Sequence, residues 1–109
     1  MVENITDEQI KSWQDKYGKG NIICLEFGKA KIYLLDPAKS TNYFHMAKRM
    51  MIEQQKNDLI GSGEIIFNEC YLGGLGERKE IDKNTAEYIN TCVHCTNLIP
   101  VLEVNFTTL

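Results

Sequence analysis

The sequence lacks the features that would place it in a membrane or outside the cell. No apolar run in its 109 residues approaches the roughly 18–20 residues that cross a bilayer. The segment 1–4 is acidic and polar, whereas a secretion signal opens with a basic stretch followed by an apolar core. Four cysteines are few for a disulfide scaffold, and without a signal we expect free, buried thiols. We therefore expect a soluble protein that stays in the cell that makes it.

The chain also lacks an excess of basic charge, which bears on nucleic acids as partners. The chain has 12 basic and 15 acidic side chains, for a net charge of −3. Binding to a phosphate backbone needs a concentrated cationic face, so we expect no nucleic-acid partner. The apolar share of 43% and the charged share of 25% are those of a globular chain with a hydrophobic core. Because the length is close to the commonest domain size, residues 1–109 are expected to form a single domain.

A helix is predicted near the start of the chain. Thr6 and Gln9 have the spacing of a capping box, in which the Thr6 hydroxyl accepts the amide of Gln9. Apolar residues follow at helical spacing, and Gly18 is typical of the residue after a helix. The pattern predicts a helix over 7–17.

Two β-prone apolar runs come next and predict a hairpin. The runs cover 21–27 and 30–35, and Gly28 and Lys29 separate them. Glycine at the first turn position tolerates the positive φ of a type II′ turn. Pro37 then ends the second strand, because proline has no N–H to donate to a ladder.

The second half of the chain is predicted to be mainly helical. Ser40 can cap a helix over 41–56, whose buried stripe would be Tyr43, Phe44, Ala47, Met50 and Met51. Residues 61–63 are interpreted as a loop, and 64–72 as a helix capped by Gly73 and Gly74, although a strand fits the periodicity as well.

A last helix and a terminal strand complete the prediction. Asp82 would cap this helix, whose apolar stripe would be Ala86, Tyr88, Ile89, Cys92 and Val93. Segment 101–106 alternates partly, as a terminal strand does. The expected fold class is α+β: an amino-terminal helix, a β-hairpin, a helical second half and a carboxyl-terminal strand able to join the hairpin.

The sharpest chemical motif is a Cys-x-x-Cys pair formed by Cys92 and Cys95. Two such thiolates can bind one metal ion, and His94 or Cys70 could complete a tetrahedral zinc site. However, the second ligand pair that structural zinc sites normally show is missing. A thioredoxin-like motif would follow a strand and open a helix, whereas this pair falls in the last turns of one. Buried thiols are the preferred interpretation.

Nothing in the sequence specifies an enzyme. Segment 61–63 lacks the third glycine of a dinucleotide fingerprint, and 73–76 lacks the Lys-Ser/Thr of a P-loop. No serine or cysteine stands in a nucleophile elbow. We therefore expect no catalytic residues and no cofactor.

Aromatic and methionine residues gather on the second predicted helix. Met46 and Met50, with Tyr43, could form an adaptable surface that binds a partner, or they could be an ordinary core face. They cannot all face one core, so part of this surface is predicted to be exposed. The apolar end of the chain, with Val104 and Phe106, is a second candidate, because an unpaired strand invites augmentation.

One stretch of the chain resembles a known group of proteins. It runs from Glu64 to Gly74, with an Asn-x-Cys-aromatic-Leu-Gly-Gly pattern, and accompanies the Ile-Thr-x-Glu-Gln-Ile opening at 5–10, Trp13 and the Asp-Pro after the hairpin. Together these are similar to small phage- and prophage-encoded proteins, some of which look like tail-assembly chaperones or minor morphogenesis factors. The resemblance implies a protein that binds phage structural or tail proteins, forms homo-oligomers and is found in the bacterial host cytoplasm or in the virion.

Two hypotheses follow. The first is a non-enzymatic phage morphogenesis or virion protein that acts through protein–protein contacts. The second is a small metal-stabilised regulatory protein, for example an inhibitor of a host defence enzyme, built on Cys70, Cys92, His94 and Cys95.

Overall fold

The computed structural model describes residues 5–28, 30–75, 81–100 and 102–109, and its first element is the predicted helix, α1 (Asp7–Tyr17). The Thr6 hydroxyl accepts a hydrogen bond from the Gln9 amide at 3.2 Å, as the capping sequence predicts. Gly18 ends the helix with φ at +100°, a conformation that favours glycine.

The predicted hairpin is confirmed and forms two strands of a three-stranded sheet. Strand β1 (Ile22–Phe27) pairs antiparallel with β2 (Ala30–Leu35), in a register that runs from Ile22 opposite Leu35 to Phe27 opposite Ala30. Gly28 has φ at +57°, and Lys29, the other turn residue, lies outside the described residues.

The third strand is not the one expected. Strand β3 (Tyr71–Gly73) pairs antiparallel with β2, which gives the sheet order β1-β2-β3. The backbone directly after β3 lies close to β2, since a Cβ on Gly74 would lie 2.2 Å from the Lys31 carbonyl oxygen. The expected carboxyl-terminal strand is wrong: residues 102–109 have no regular secondary structure, and the strand added to the hairpin is Tyr71–Gly73 instead.

Helices α2 (Tyr43–Gln55) and α3 (Leu59–Cys70) form an antiparallel pair joined by a tight turn at Asn57, whose φ is +60°. Ser40 does not cap α2; its hydroxyl accepts from the amide of Asn42, which is itself the N-cap residue. The α2 helix therefore begins two residues later than predicted.

Helix α3 corrects the prediction for 61–63, which lie inside a helix and not in a loop. The helix begins earlier because the Asp58 carboxylate accepts a hydrogen bond from the Gly61 amide at 2.8 Å, an N-cap that the glycines obscure in the sequence. The predicted glycine cap at the other end is also wrong. The chain turns into β3 directly after Cys70, so Gly73 belongs to the sheet.

Helix α4 (Ala86–Cys95) is confirmed, but Thr85 and not Asp82 is its cap. The Thr85 hydroxyl accepts from the Tyr88 amide at 3.2 Å and donates to the Asp82 carbonyl at 3.0 Å. The Asp82 carboxylate instead accepts from the Asn84 amide, which makes a local turn before the helix. The charged sequence over 75–80 predicts a polar loop, and residues 76–80 of it lie outside the described residues.

The core lies between the sheet and the layer formed by α2, α3 and α4. Ile32 and Leu34 supply its sheet side, and Phe67 lies at its centre, stacked on Tyr71 and edge-on to Tyr88. Helix α1 packs on the opposite face of the sheet, where the Trp13 and Tyr33 ring centroids are 5.6 Å apart. The predicted buried stripe of α4 is confirmed at Tyr88 and Cys92. By contrast, Ala86 and Ile89 are exposed and Val93 is half-buried.

Candidate functional site

The cysteines of the predicted cluster lie in the core. Cys70, Cys92 and Cys95 are buried between α3, α4 and the sheet, and the Cys70 thiol lies 3.7 Å from the Met46 sulfur. Burial raises the pKa of the Cys92 thiol to about 11 and raises that of Cys95 further. A metal ligand or a redox nucleophile needs the thiolate form, which this environment disfavours.

The fourth residue of the predicted metal set lies apart from these thiols. His94 is exposed, and its ring centroid is 5.9 Å from that of Phe27 at the end of β1. Within the described part of the chain, no three His, Cys, Asp or Glu side chains form a group that could hold a metal ion. The structure therefore does not bring the Cys-x-x-Cys pair and His94 together as a site.

A polar cluster that the sequence did not reveal joins α3 to α4. The buried Tyr88 hydroxyl donates a hydrogen bond to the Glu64 carboxylate, and the Lys83 ammonium lies 3.4 Å from the same carboxylate oxygen. Desolvation and, next, the Glu64 hydrogen bond raise the pKa of Tyr88 well above its ordinary value. The phenol therefore stays protonated as a donor, and the arrangement stabilises the packing of the two helices.

Two clefts flank the α2–α3 pair, and both are polar. One, of about 210 Å³, is lined by Asn42, His45, Met46, Arg49 and Glu69. The other, of about 300 Å³, carries the carboxylates of Glu53, Asp58, Glu64 and Glu69. Small-molecule sites usually span about 300–1,000 Å³ and are mostly apolar, with a few convergent polar groups, and both clefts differ from that description in their polar lining.

The predicted partner-binding residues of α2 divide between core and surface. Met46 and Met50 are only 1% and 5% exposed, and Tyr43 is half-buried, so a partner cannot reach the two methionines in the folded chain. By contrast, Phe44 and Met51, predicted to be buried, are 74% and 58% exposed. They are seven residues apart and lie on one side of α2. The exposed apolar surface of this helix is therefore real but belongs to different residues.

The end of the chain carries the strongest apolar exposure. Leu102, Val104 and Phe106 are 79%, 65% and 95% exposed, and in the described residues no hydrogen bond to 102–109 is present. They stand at every second position, the spacing at which side chains share one side wherever a chain is extended. We define residues 102–109 as the carboxyl-terminal segment.

The molecule is more elongated than a compact chain of similar length. The longest dimension is 55 Å and the radius of gyration is 15.2 Å, compared with about 13 Å for a compact chain of about 100 residues. A cluster of exposed apolar residues marks an interaction site more often than a single exposed residue does. Val104 and Phe106, predicted from the sequence as contact residues, are thus accessible to a partner.

Comparisons of the chain with protein-family models, with curated proteins and with solved structures find no match. Among the described residues, no helix is both long and apolar enough to cross a bilayer.

Proposed function

We propose that this chain is a non-enzymatic binding protein of phage morphogenesis, which holds structural or tail proteins through its carboxyl-terminal segment. The observation that carries the proposal is the exposure of Leu102, Val104 and Phe106, which stand at every second position. The resemblance to phage and prophage proteins supplies the class of partner. Its place of action would be the host cytoplasm during assembly, or the virion if the protein stays bound.

The energetics of this face suit a binding segment that releases its partner. Burying a Leu, Val or Phe side chain contributes about 1.5–3 kcal/mol, so the three side chains together contribute on the order of 5–9 kcal/mol. Association costs about 4–15 kcal/mol in lost freedom, and ordering the segment adds to that cost. The segment alone is therefore expected to bind weakly, which suits a chaperone that releases its partner.

A second contact would raise the affinity. Phe44 and Met51 form an exposed apolar face on α2, which sits on the rigid helical layer of the fold. A partner that touches this face and the carboxyl-terminal segment together would gain through effective concentration.

Binding through a surface also agrees with the chemistry of the interior. The thiols of Cys92 and Cys95 are buried and held neutral, and the Tyr88 phenol is held protonated by burial and by Glu64. The alternative of a metal-stabilised regulator draws no support from this arrangement. A protein–protein role needs none of these groups as reagents.

The test is co-expression with the tail and structural proteins encoded in the same genome, followed by affinity capture of this chain. The wild-type chain should co-purify with one of them, and the triple variant Leu102→Ser, Val104→Ser, Phe106→Ser should lose it. Thr107→Ala, in the same segment, is the matched control and should retain it. Equal recovery of the partner with the wild type and the triple variant would overturn the assignment of the segment. Capture of no virion or tail protein would overturn the morphogenesis role.

A further inference from the structure

Strand β1 is an open edge of the sheet. In the antiparallel ladder between β1 and β2, hydrogen-bonded pairs alternate with pairs that are not hydrogen-bonded. The Asp36 amide donates to the Asn21 carbonyl at 2.7 Å, so Asn21 and Asp36 are a hydrogen-bonded pair, and this fixes the alternation along β1. The backbone groups of Ile22, Cys24 and Glu26 therefore point away from β2. Within the described part of the chain, no backbone hydrogen bond satisfies them. Such an edge is a template for another strand.

The apolar face of β1 is also incompletely covered. Ile23, Leu25 and Phe27 point toward the helical layer but are only half-buried, whereas Ile32 and Leu34 on β2 are fully buried. The difference arises because β2 has a strand on both sides and β1 has one. A strand added outside β1, with apolar residues at every second position, would cover these three side chains.

The carboxyl-terminal segment has the pattern that this edge requires. Apolar residues stand at 102, 104 and 106, and the positions between and after them carry Glu103, Asn105 and Thr107, followed on that side by Leu109. On β1 the opposite face likewise carries the exposed Cys24 and Glu26. Apolar residues would therefore lie beside apolar ones and polar beside polar. Registers that set Glu103 against Glu26 are disfavoured by like charge.

We propose that the carboxyl-terminal segment of one copy adds as a fourth strand to the β1 edge of a second copy. The inference rests on the proposed role of the segment in binding and names a surface that it binds. A second copy is the occupant because, among the described residues, neither the segment nor the β1 edge has a strand partner, and apolar and polar residues alternate in the same way on both. The contact joins two different surfaces, so repetition gives a reciprocal dimer, a ring or a chain of subunits.

Cys24 provides a natural reporter for this contact. It is exposed on the polar face of β1, whereas Cys70, Cys92 and Cys95 are buried. Neighbouring strands place facing Cα atoms about 4.5–5.5 Å apart, within the range that a disulfide spans. A cysteine placed on the polar face of the segment should therefore form a disulfide with Cys24 of another copy under mild oxidation.

The experiment introduces Glu103→Cys, Asn105→Cys or Thr107→Cys, one at a time, into the full chain. At least one should give cross-linked oligomers on non-reducing gels. Val104→Cys, on the opposite face, is the matched control and should give at least tenfold less. To prove that the link joins two copies, each variant also carrying Cys24→Ser is mixed with size-tagged wild-type chain, and the mixed dimer should form. The same double variants without the tagged wild-type chain have no Cys24 in any copy, so a dimer that they form measures disulfides between two segments.

Two results would overturn the proposal. One is cross-linking from the polar face no stronger than from Val104→Cys. The other is a disulfide between Cys24 and the segment of the same chain, found by peptide mapping, because it would mean that the segment covers its own edge. If either is found while the serine triple variant still loses a virion partner, the proposed function stands and only the self-association falls.

A second variant tests the edge itself. Glu26→Pro removes an outward N–H and leaves the ladder with β2 intact, so the variant should fold, as circular dichroism would show. We expect it to sediment as a monomer at concentrations where Glu26→Ala and the wild type associate. Equal association of a folded Glu26→Pro variant would contradict strand addition at this edge.

Discussion

Substituting Gly63 with alanine tests the helical layer at its tightest contact. Gly63 is buried within α3, where it faces the backbone of α4. A Cβ there would lie 1.7 Å from the Cys92 carbonyl oxygen and 2.5 Å from its carbonyl carbon. The obstacle is backbone, so no side-chain rotation relieves it.

The magnitude follows from two opposing effects. Ordinary contact begins near 3.4 Å, so α3 and α4 would have to separate locally by about 1.7 Å, the difference between 3.4 and 1.7 Å. Overpacking costs about 1–3 kcal/mol, occasionally more, and a backbone obstacle belongs at the upper end. Alanine in place of glycine in a helix recovers about 1 kcal/mol. We expect a net loss of about 2 kcal/mol in the free energy of unfolding.

Chemical and thermal denaturation measure this loss directly. For a domain of this size, about 2 kcal/mol corresponds to a fall in Tm of roughly 9 °C. Asn68→Ala, at an exposed position of the same helix, is the control and should change stability by less than about 0.5 kcal/mol. A Gly63→Ala protein as stable as the wild type would refute the close approach of the two helices.

Three further predictions concern the core, a cap and pH. Met46→Ala should cost about 2–5 kcal/mol, whereas Phe44→Ala should cost less than about 0.5 kcal/mol; equal losses in urea denaturation would contradict the orientation of α2. Thr85→Ala should cost about 1 kcal/mol through its lost cap, and no change in the denaturation midpoint would count against that hydrogen bond. Burial raises the pKa of Cys92 from 9.0 to about 11. The stabilisation of the folded state by the neutral, buried thiol is therefore present below pH 9 and is lost as pH rises through about 11. This amounts to about 2–3 kcal/mol, and an equally steep fall in Cys92→Ala would show that other groups cause it.

The parts of the fold that local signals specify were predictable from the sequence. Helix α1 follows from the Thr6 cap, and the hairpin follows from Gly28 between two β-prone runs. In both cases the residues that set the conformation are neighbours in the chain. No distant contact is needed to predict either element.

The errors arose where distant contacts decide. Gly61 and Gly63 are typical of a loop by propensity, but packing against the α4 backbone makes a small residue at 63 necessary within a helix. Similarly, alternation could not show that β2 would pair with Tyr71–Gly73 and leave the carboxyl-terminal segment unpaired. Propensity is a weak prior that tertiary contacts override.

The candidate surface was only partly predictable for a related reason. Large apolar residues occur nearly all the way round α2, so helical periodicity does not fix which side faces the core. The structure buries Met46 and exposes Phe44. At Val104 and Phe106 the prediction needed only the local pattern, and both side chains are accessible.

Amide hydrogen exchange in the carboxyl-terminal segment tests most directly the claim that this segment binds. In dilute wild-type protein, residues 102–109 should exchange at close to the rate of an unfolded peptide, because no hydrogen bond protects them in the described residues. In the assembled or partner-bound protein the amides of the segment should slow by at least a hundredfold, with the helical layer unchanged. Equally fast exchange in the free and the bound protein would contradict the claim and would assign binding to another surface.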